Sequence, residues 1–265
     1  MKEFFVERYL KLDCGFEPMS ATDLSDIVDE VLKTLEGVEE SKHKILEERQ
    51  LCTLGCIIER AKRVNGPVRF TDVMDCLKTS CGLKHRDYFY RYVDDLEEEG
   101  LISSVKVSRG KNLYVPTIRG IIVYTTAMAL KLTEVDSQAF IPHVIVMLGF
   151  LRLLIGTRKD VFDKLLTGDE NLGAFFTEAV DHTLSALSKM EDVNQTIALL
   201  TKRVVTADGE EVRGFDLVEY LVSTVINLHL ACTRGLIEYL NLGNFLKINK
   251  ALDDLRNNEP GGSQG

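Results

Sequence analysis

The sequence predicts a mainly α-helical chain with one β-hairpin set among the helices. Three observations carry that expectation. Apolar residues recur at helical spacing through most of the length, as in Leu46, Leu51, Leu54, Ile57, Ile58 and Ala61. Between Arg69 and Gly120 the pattern changes to helix, tight turn, helix, then two short alternating runs and the opening of another helix. Finally, 265 residues at 45% hydrophobic content suffice for a substantial core and for two domains.

Taken in order, residues 2–12 read as a short amphipathic helix. Residues 20–35 read as a better one, capped by Ser20 or Thr22, with Leu24, Ile27, Val28, Val31 and Leu35 on one face. Gly37 and a charged run over 39–44 close this acidic arm. A strong helix is expected over 45–64, stopped by Asn65-Gly66-Pro67. Val68-Arg69-Phe70 reads as extended, and Thr71 as the cap of a helix through Leu77. After the turn Thr79-Ser80-Cys81-Gly82, a third helix is expected from Lys84 to Gly100, with Phe89, Val93 and Leu96 as its buried stripe. Gly100-Leu101-Ile102 ends that helix and starts a strand. The runs 103–108 and 113–115 form a hairpin through Arg109-Gly110-Lys111-Asn112, where Gly and Asn are expected to supply left-handed backbone. Thr117 then caps a helix from Ile118 to about Leu132.

The remainder reads as helices over 138–155, 160–166, 172–190 and 194–205, with a turn or hairpin at Asp208-Gly209 between Val204 and Val212. A last long helix or helix pair runs from Phe215 to Leu255, with Gly235 or Gly243 as breaks. The tail 257–265 is rich in Gly, Ser and Pro and is expected to be disordered. The chain thus divides into an acidic helical arm (1–44), a helix-and-hairpin domain (45–132), a C-terminal helical domain (133–256) and the tail.

Charge is distributed unevenly along the chain. The net charge of −9 divides into −5 over 1–44, +3 over 45–131 and −7 over 132–265, so only the middle segment is positive. Within the third helix the cations come early, at Lys84, His85, Arg86 and Arg91, and the acids late, at Asp94, Asp95, Glu97, Glu98 and Glu99. A nucleic-acid surface needs local positive charge, and this helix start is where it occurs. Tyr88 and Tyr90 lie between the cations and off the apolar stripe, where each can reach a phosphate or a base edge, or simply cover the outer surface of the domain.

Other functions find less support in the residues. The apolar run 139–155 is interrupted by Pro142, His143, Gly149 and Arg152, short of the roughly 20 apolar residues of a spanning helix. Glu7, Arg8 and Lys11 break the pattern of a signal peptide, so a cytoplasmic location and no membrane role are expected. Cys52 and Cys56 share a helix face, and Cys76 and Cys81 flank the following turn, which makes a metal or redox site conceivable. Apolar neighbours favour buried thiols packing as small hydrophobes, so no metal or cofactor is expected. No phosphate loop or nucleophile motif is present, and His143 and His229 read as core histidines, so the chain is not expected to be an enzyme. Arg152, Arg234 and Asn227 could line a pocket beside them.

The run from Phe70 to Tyr124 resembles the winged helix-turn-helix of prokaryotic transcriptional regulators of the broad ArsR and MarR type, found in bacteria and archaea. The residues that carry the resemblance are Phe89-Tyr90-Arg91-Tyr92-Val93-Asp94-Asp95-Leu96 leading to Glu99-Gly100-Leu101-Ile102, then the hairpin, Tyr114-Val115-Pro116-Thr117 and Gly120. It covers about a fifth of the chain. The resemblance implies a winged domain of three helices plus a β-hairpin wing, with the third helix reading the major groove of double-stranded DNA and the wing touching phosphate or minor groove. Carried over by position, the reading surface is Lys84, His85, Arg86, Tyr88, Tyr90 and Arg91, and the wing surface is Arg109, Lys111 and Asn112. It further implies a homodimer on a palindromic site, with the C-terminal helices dimerising, binding an effector or meeting a protein partner. The cysteine and histidine arrangement of metal-sensing ArsR-type proteins is not matched, so metal sensing is not implied. The alternative is a winged-helix adaptor in a multiprotein complex, which the acidic flanks suit.

Overall fold

The computed structural model describes residues 45–231 apart from 84, 109–110, 137–140, 142–143, 146–147, 150, 153–169 and 189–190. Among the described residues the fold is mainly helical, with seven helices and three small antiparallel sheets. The expected helices over 2–12, 20–35 and 160–166, the breaks at Gly235 and Gly243, and the disordered tail lie outside the described residues.

Helix α1 (Glu48–Val64) is the centre of the packing. It starts where the Glu47 N–H donates to Gln50 Oε1 (2.9 Å), and it stops where Asn65 turns left-handed at φ 51° and the Gly66 N–H reaches the Ala61 carbonyl. The sequence places the start of this helix at Ile45, but Ile45–Leu46 is instead a short strand, β1, antiparallel to β5 (Val135–Asp136). Leu46 and Val135 are both buried by this pairing, a tertiary closure that local helical spacing does not register.

After β2 (Val68–Arg69), helix α2 (Phe70–Ser80) begins one residue ahead of the expected Thr71 cap. The Asp72 carboxylate accepts the Arg69 N–H at 3.0 Å, which fixes the entry and leaves Thr71 inside the first turn. Helix α3 (Arg86–Glu98) buries Phe89, Val93 and Leu96 as their spacing predicts, with Tyr92 beside them. Gly100 (φ 65°) ends it, and the Leu101 N–H bonds to the Leu96 carbonyl at 2.8 Å. Strands β3 (Ile102–Ser108) and β4 (Lys111–Pro116) form the hairpin, and β2 adds to the far side of β4 to give the order β2-β4-β3. Lys111 already pairs with Ser108, and Asn112 with Lys106. Asn112 is therefore a strand residue, and the left-handed turn role expected of it does not hold.

Helix α4 (Ile118–Leu130) opens at a tightly tied corner. The Thr117 hydroxyl accepts the Gly120 N–H (3.0 Å) and donates to the Gly100 carbonyl (2.7 Å), while the Thr117 N–H bonds to Leu101 O (3.1 Å). One threonine thus caps α4 and pins the end of α3 to it. Gly120 lies so close to the Leu101 carbonyl that a Cβ there would fall inside contact distance of backbone.

The C-terminal half contributes α5 (Glu170–Ser188), α6 (Val193–Thr201), the hairpin β6 (Arg203–Val205) and β7 (Glu211–Arg213), and α7 (Gly214–Ala231). The Asp192 side chain caps α6. The helix expected to reach Val205 stops at Thr201, because Arg203-Val204-Val205 pairs with Glu211-Val212-Arg213 around Gly209 (φ 86°), the turn that Asp208-Gly209 marks. No helix among the described residues is long and apolar enough to cross a membrane.

Buried side chains of both halves join in one core, from Leu54, Ile57 and Ile58 through Phe89 and Ile121 to Phe175, Phe176, Val218 and Leu221. Polar ties reinforce the junction. Lys62 pairs with Glu219 and, at 3.3 Å, with Asp216, Arg213 Nη1 donates to the Lys62 carbonyl, and Asn65 Nδ2 donates to the Thr201 carbonyl. Glu191 is the half-buried counterpart at the α4 corner, accepting the Ile118 N–H (3.0 Å) and the Thr196 hydroxyl (2.5 Å). Burial raises its carboxyl above the usual glutamate range, and these hydrogen bonds and nearby Arg119 oppose that only in part.

Two outcomes are expected. Gly120→Ala should cost about 1 to 3 kcal/mol in urea unfolding, since backbone must move to admit the methyl. Gly66→Ala, which meets nothing within 4 Å, should stay within about 0.5 kcal/mol of wild type. Between the usual glutamate value and the raised value of Glu191, the native state holds more protons than the unfolded chain. Its contribution to stability therefore falls as pH rises through that window, and Glu191→Gln should flatten the urea midpoint against pH there.

Candidate nucleic-acid interface

The start of α3 sits on an aromatic platform. Phe89 is fully buried, with Phe70 edge-on at 4.8 Å and Tyr114 edge-on at 5.5 Å between ring centroids. Tyr90 stacks on Phe70 at 5.5 Å and near-parallel planes. Since Phe70 opens α2 and Tyr114 lies in β4, one cluster fixes the α3 N-terminus against the preceding helix and the hairpin. Burial pushes the Tyr114 phenol above the usual tyrosine range, so it stays neutral at physiological pH.

Arg86 lies on top of this platform. Its guanidinium carbon is 4.9 Å from the Phe70 ring centre and 5.2 Å from that of Tyr90, within cation–π range. Nε and Nη2 both donate to Tyr90 Oη, at 3.0 and 2.6 Å. Arg86 is exposed, and its guanidinium is oriented by Tyr90. Tyr90 therefore supports Arg86 more than it forms an independent contact surface. Phe70, which sequence reasoning did not single out for the site, is the floor of the arrangement.

The other expected positions are placed as follows. His85 is exposed at the residue before α3, with its ring 6.2 Å edge-on from Tyr88. Tyr88 is 44% exposed and stacks at 6.5 Å on Tyr92. Arg91 is exposed one turn further along. Among the described residues neither Arg86 nor Arg91 is in an ion pair with a carboxylate. Two acids of the later half of α3 are engaged inside the domain. Asp95 accepts from Gln50 Nε2 at 2.8 Å, and Glu97 accepts the Ser104 N–H and hydroxyl. Asp94 and Glu98 stay exposed. Asn112 is exposed on β4 and Lys106 on β3 of the same hairpin, while Arg69 is exposed on β2. Lys84 and Arg109 lie outside the described residues, and of Lys111 only the strand backbone is described.

Beneath the α2–α3 turn, four cysteines that the sequence suggests as separate apolar fillers are joined in pairs. Cys52 of α1 bonds to Cys81 at the end of α2, and Cys56 of α1 bonds to Cys76 of α2, each pair with Cα atoms 5.8 Å apart. The i, i+4 spacing on α1 and the tight α2–α3 turn align the two sets. Gly82 (φ 63°) and the Leu83 N–H, which bonds to the Leu77 carbonyl at 3.1 Å, then lead the chain into α3.

Of the residues suggested to line a pocket in the C-terminal half, His143, Arg152, Asn227, His229 and Arg234, only the side chain of Arg152 is described. His143 and Arg234 lie outside the described residues, and Arg152 pairs with Asp181 at 2.9 Å. No protein-family model, no curated protein and no solved structure matches the chain.

The disulfides close loops of 29 and 20 residues in sequence separation, so the chain-entropy model assigns each about 3 to 4 kcal/mol. The double variant Cys52→Ser/Cys81→Ser should lower unfolding free energy by an amount of that order under non-reducing conditions. In a variant with both Cys14→Ser and Cys232→Ser, all four remaining cysteines should resist alkylation until a reductant is added.

Proposed function

We propose that the chain binds double-stranded DNA through residues 45–132, acting as a winged helix-turn-helix transcriptional regulator. In this reading α2, the turn and α3 are the helix-turn-helix, the β3–β4 hairpin is the wing, and the N-terminal turns of α3 enter the major groove. The observation that carries the proposal is the exposed start of α3, where among the described residues neither Arg86 nor Arg91 is in an ion pair with a carboxylate. Exposed Arg86 is held by Tyr90 over Phe70, with Tyr88 and Arg91 beside it. An arginine fixed in this way meets a guanine edge with little ordering cost, which suits bidentate readout. In this reading Arg91 and Tyr88 meet phosphate oxygens, and Lys106, Arg109, Lys111 and Asn112 would line the wing. A homodimer on a two-fold site goes with this reading, the C-terminal helices supplying the dimer, effector or partner surface.

A second reading is favoured by one observation, the exposed Asp94 and Glu98 on the later turns of α3. In it the same domain is a protein-binding adaptor, and the acidic turns repel a DNA backbone.

A salt titration against a random duplex and against the DNA upstream of its own gene separates the two. DNA binding predicts a steep fall of log K with log salt, flattened by about one unit in Lys111→Ala. Arg86→Ala should lose about 1 to 3 kcal/mol of preference for the upstream DNA. Tyr90→Phe should lose part of that preference while leaving the salt slope intact, because it frees the guanidinium without removing its charge. Absence of binding to either duplex at low salt would refute the regulator reading.

A further inference from the structure

The four sulfurs under the α2–α3 turn converge more closely than two independent disulfides require. Besides the bonded pairs, Cys56 Sγ and Cys81 Sγ, which belong to different disulfides, approach to 3.8 Å. The Sγ atoms of Cys52, Cys56 and Cys81 all lie within 4.8 Å of one another, and Cys76 is bonded into the same group. A tetrahedral ion with metal–sulfur bonds of about 2.3 Å places its sulfurs roughly 3.8 Å apart, so the cross-pair distance already has the separation such an ion needs. The spacings Cys52-x3-Cys56 and Cys76-x4-Cys81 fall within the range of short-spaced ligand pairs. Cys56 is only 3% exposed and the other three are half-buried, which shields a bound ion and still leaves it an entry path.

From this convergence we propose that Cys52, Cys56, Cys76 and Cys81, when reduced, form a tetrathiolate site for one divalent ion of the zinc class. Four thiolates select such an ion over calcium or magnesium, which take oxygen ligands. Opening the two disulfides takes four electrons, supplied in the experiment below by two equivalents of a phosphine reductant that ends as phosphine oxide, and four protons, supplied by the water whose oxygen the phosphine takes up. Binding is then ligand exchange without further redox change: four thiols lose four protons and four metal–sulfur bonds form. The ion ties α1, α2 and the turn at one point, as the disulfides do in the oxidised chain. It therefore holds α3 in place when the chain is reduced. The proposal is independent of what α3 binds.

The test uses the full-length chain, reduced and stripped of metal under anaerobic conditions, with Co²⁺ as the spectroscopic probe. The expected result is the intense visible absorption and sulfur charge-transfer band of tetrahedral cobalt thiolate. The signal saturates at one equivalent per chain and is bleached by Zn²⁺. It should persist in the Cys14→Ser/Cys232→Ser variant and be lost or shifted in Cys56→Ser. Zn²⁺ should also raise the melting temperature of the reduced wild type. A reduced, folded wild type with no cobalt–thiolate band overturns the proposal, and so does a band that survives unshifted and undiminished in folded Cys56→Ser or that vanishes in folded Cys14→Ser/Cys232→Ser. If Cys56→Ser does not fold, the wild-type band and its persistence without Cys14 and Cys232 decide the matter.

Discussion

The elements around the start of α3 take their positions from the circumference of one helix, α1. Leu51, Leu54, Ile57, Ile58 and Ala61 turn the apolar face of α1 into the core. Cys52 and Cys56 hold α2, Gln50 donates to Asp95 of α3, and the C-terminal turn is tied to α6 and α7 through Asn65 and Lys62. A glycine within this helix costs about 1 kcal/mol relative to alanine, yet Gly55 stands at its middle. A Cβ there would run into the ring of Tyr124, so the glycine is what lets α4 approach. Because α1 is surrounded in this way, the two halves of the chain share one core and α3 is fixed from behind while its first turns stay open.

That arrangement separates two jobs along α3. Its inner face and later turns are held by the core, by Gln50 and by Ser104, so the helix is rigid where it is not exposed. Its first turns carry the charge that a polyanion would meet, and aromatic rings fix the direction of the leading arginine. The chain as a whole is acidic, and a nucleic-acid reading rests on this separation of charge within one short segment.

Much of the local fold was legible in the sequence because its determinants are local. Gly100-Leu101-Ile102, the Thr117 cap, the Phe89, Val93 and Leu96 stripe and the Asp208-Gly209 hairpin each depend on residues a few positions apart. What was not legible is non-local or a close contest between neighbours. The β1–β5 pairing joins segments some ninety residues apart, and the α2 entry is set at Arg69, whose N–H the Asp72 carboxylate accepts, rather than at Thr71. For the site, the spacing of Cys52, Cys56, Cys76 and Cys81 put them on facing surfaces but could not show that they meet. Arg86 was identifiable as exposed and basic, whereas its support by Phe70 and Tyr90 depends on how α2 and α3 cross. Composition marks a hairpin without fixing its register, so Asn112 reads as a turn residue in the sequence and stands in β4 in the structure.

Hydrogen exchange of the full-length chain, with and without a saturating duplex at low salt, tests the central claim most directly. The account predicts new protection confined to residues 85–91 and the β3–β4 hairpin, with the later turns of α3 and the C-terminal helices unchanged except where a dimer contact forms. Protection centred on the Asp94 to Glu98 turns, or none in the α3 start and the hairpin, would contradict it.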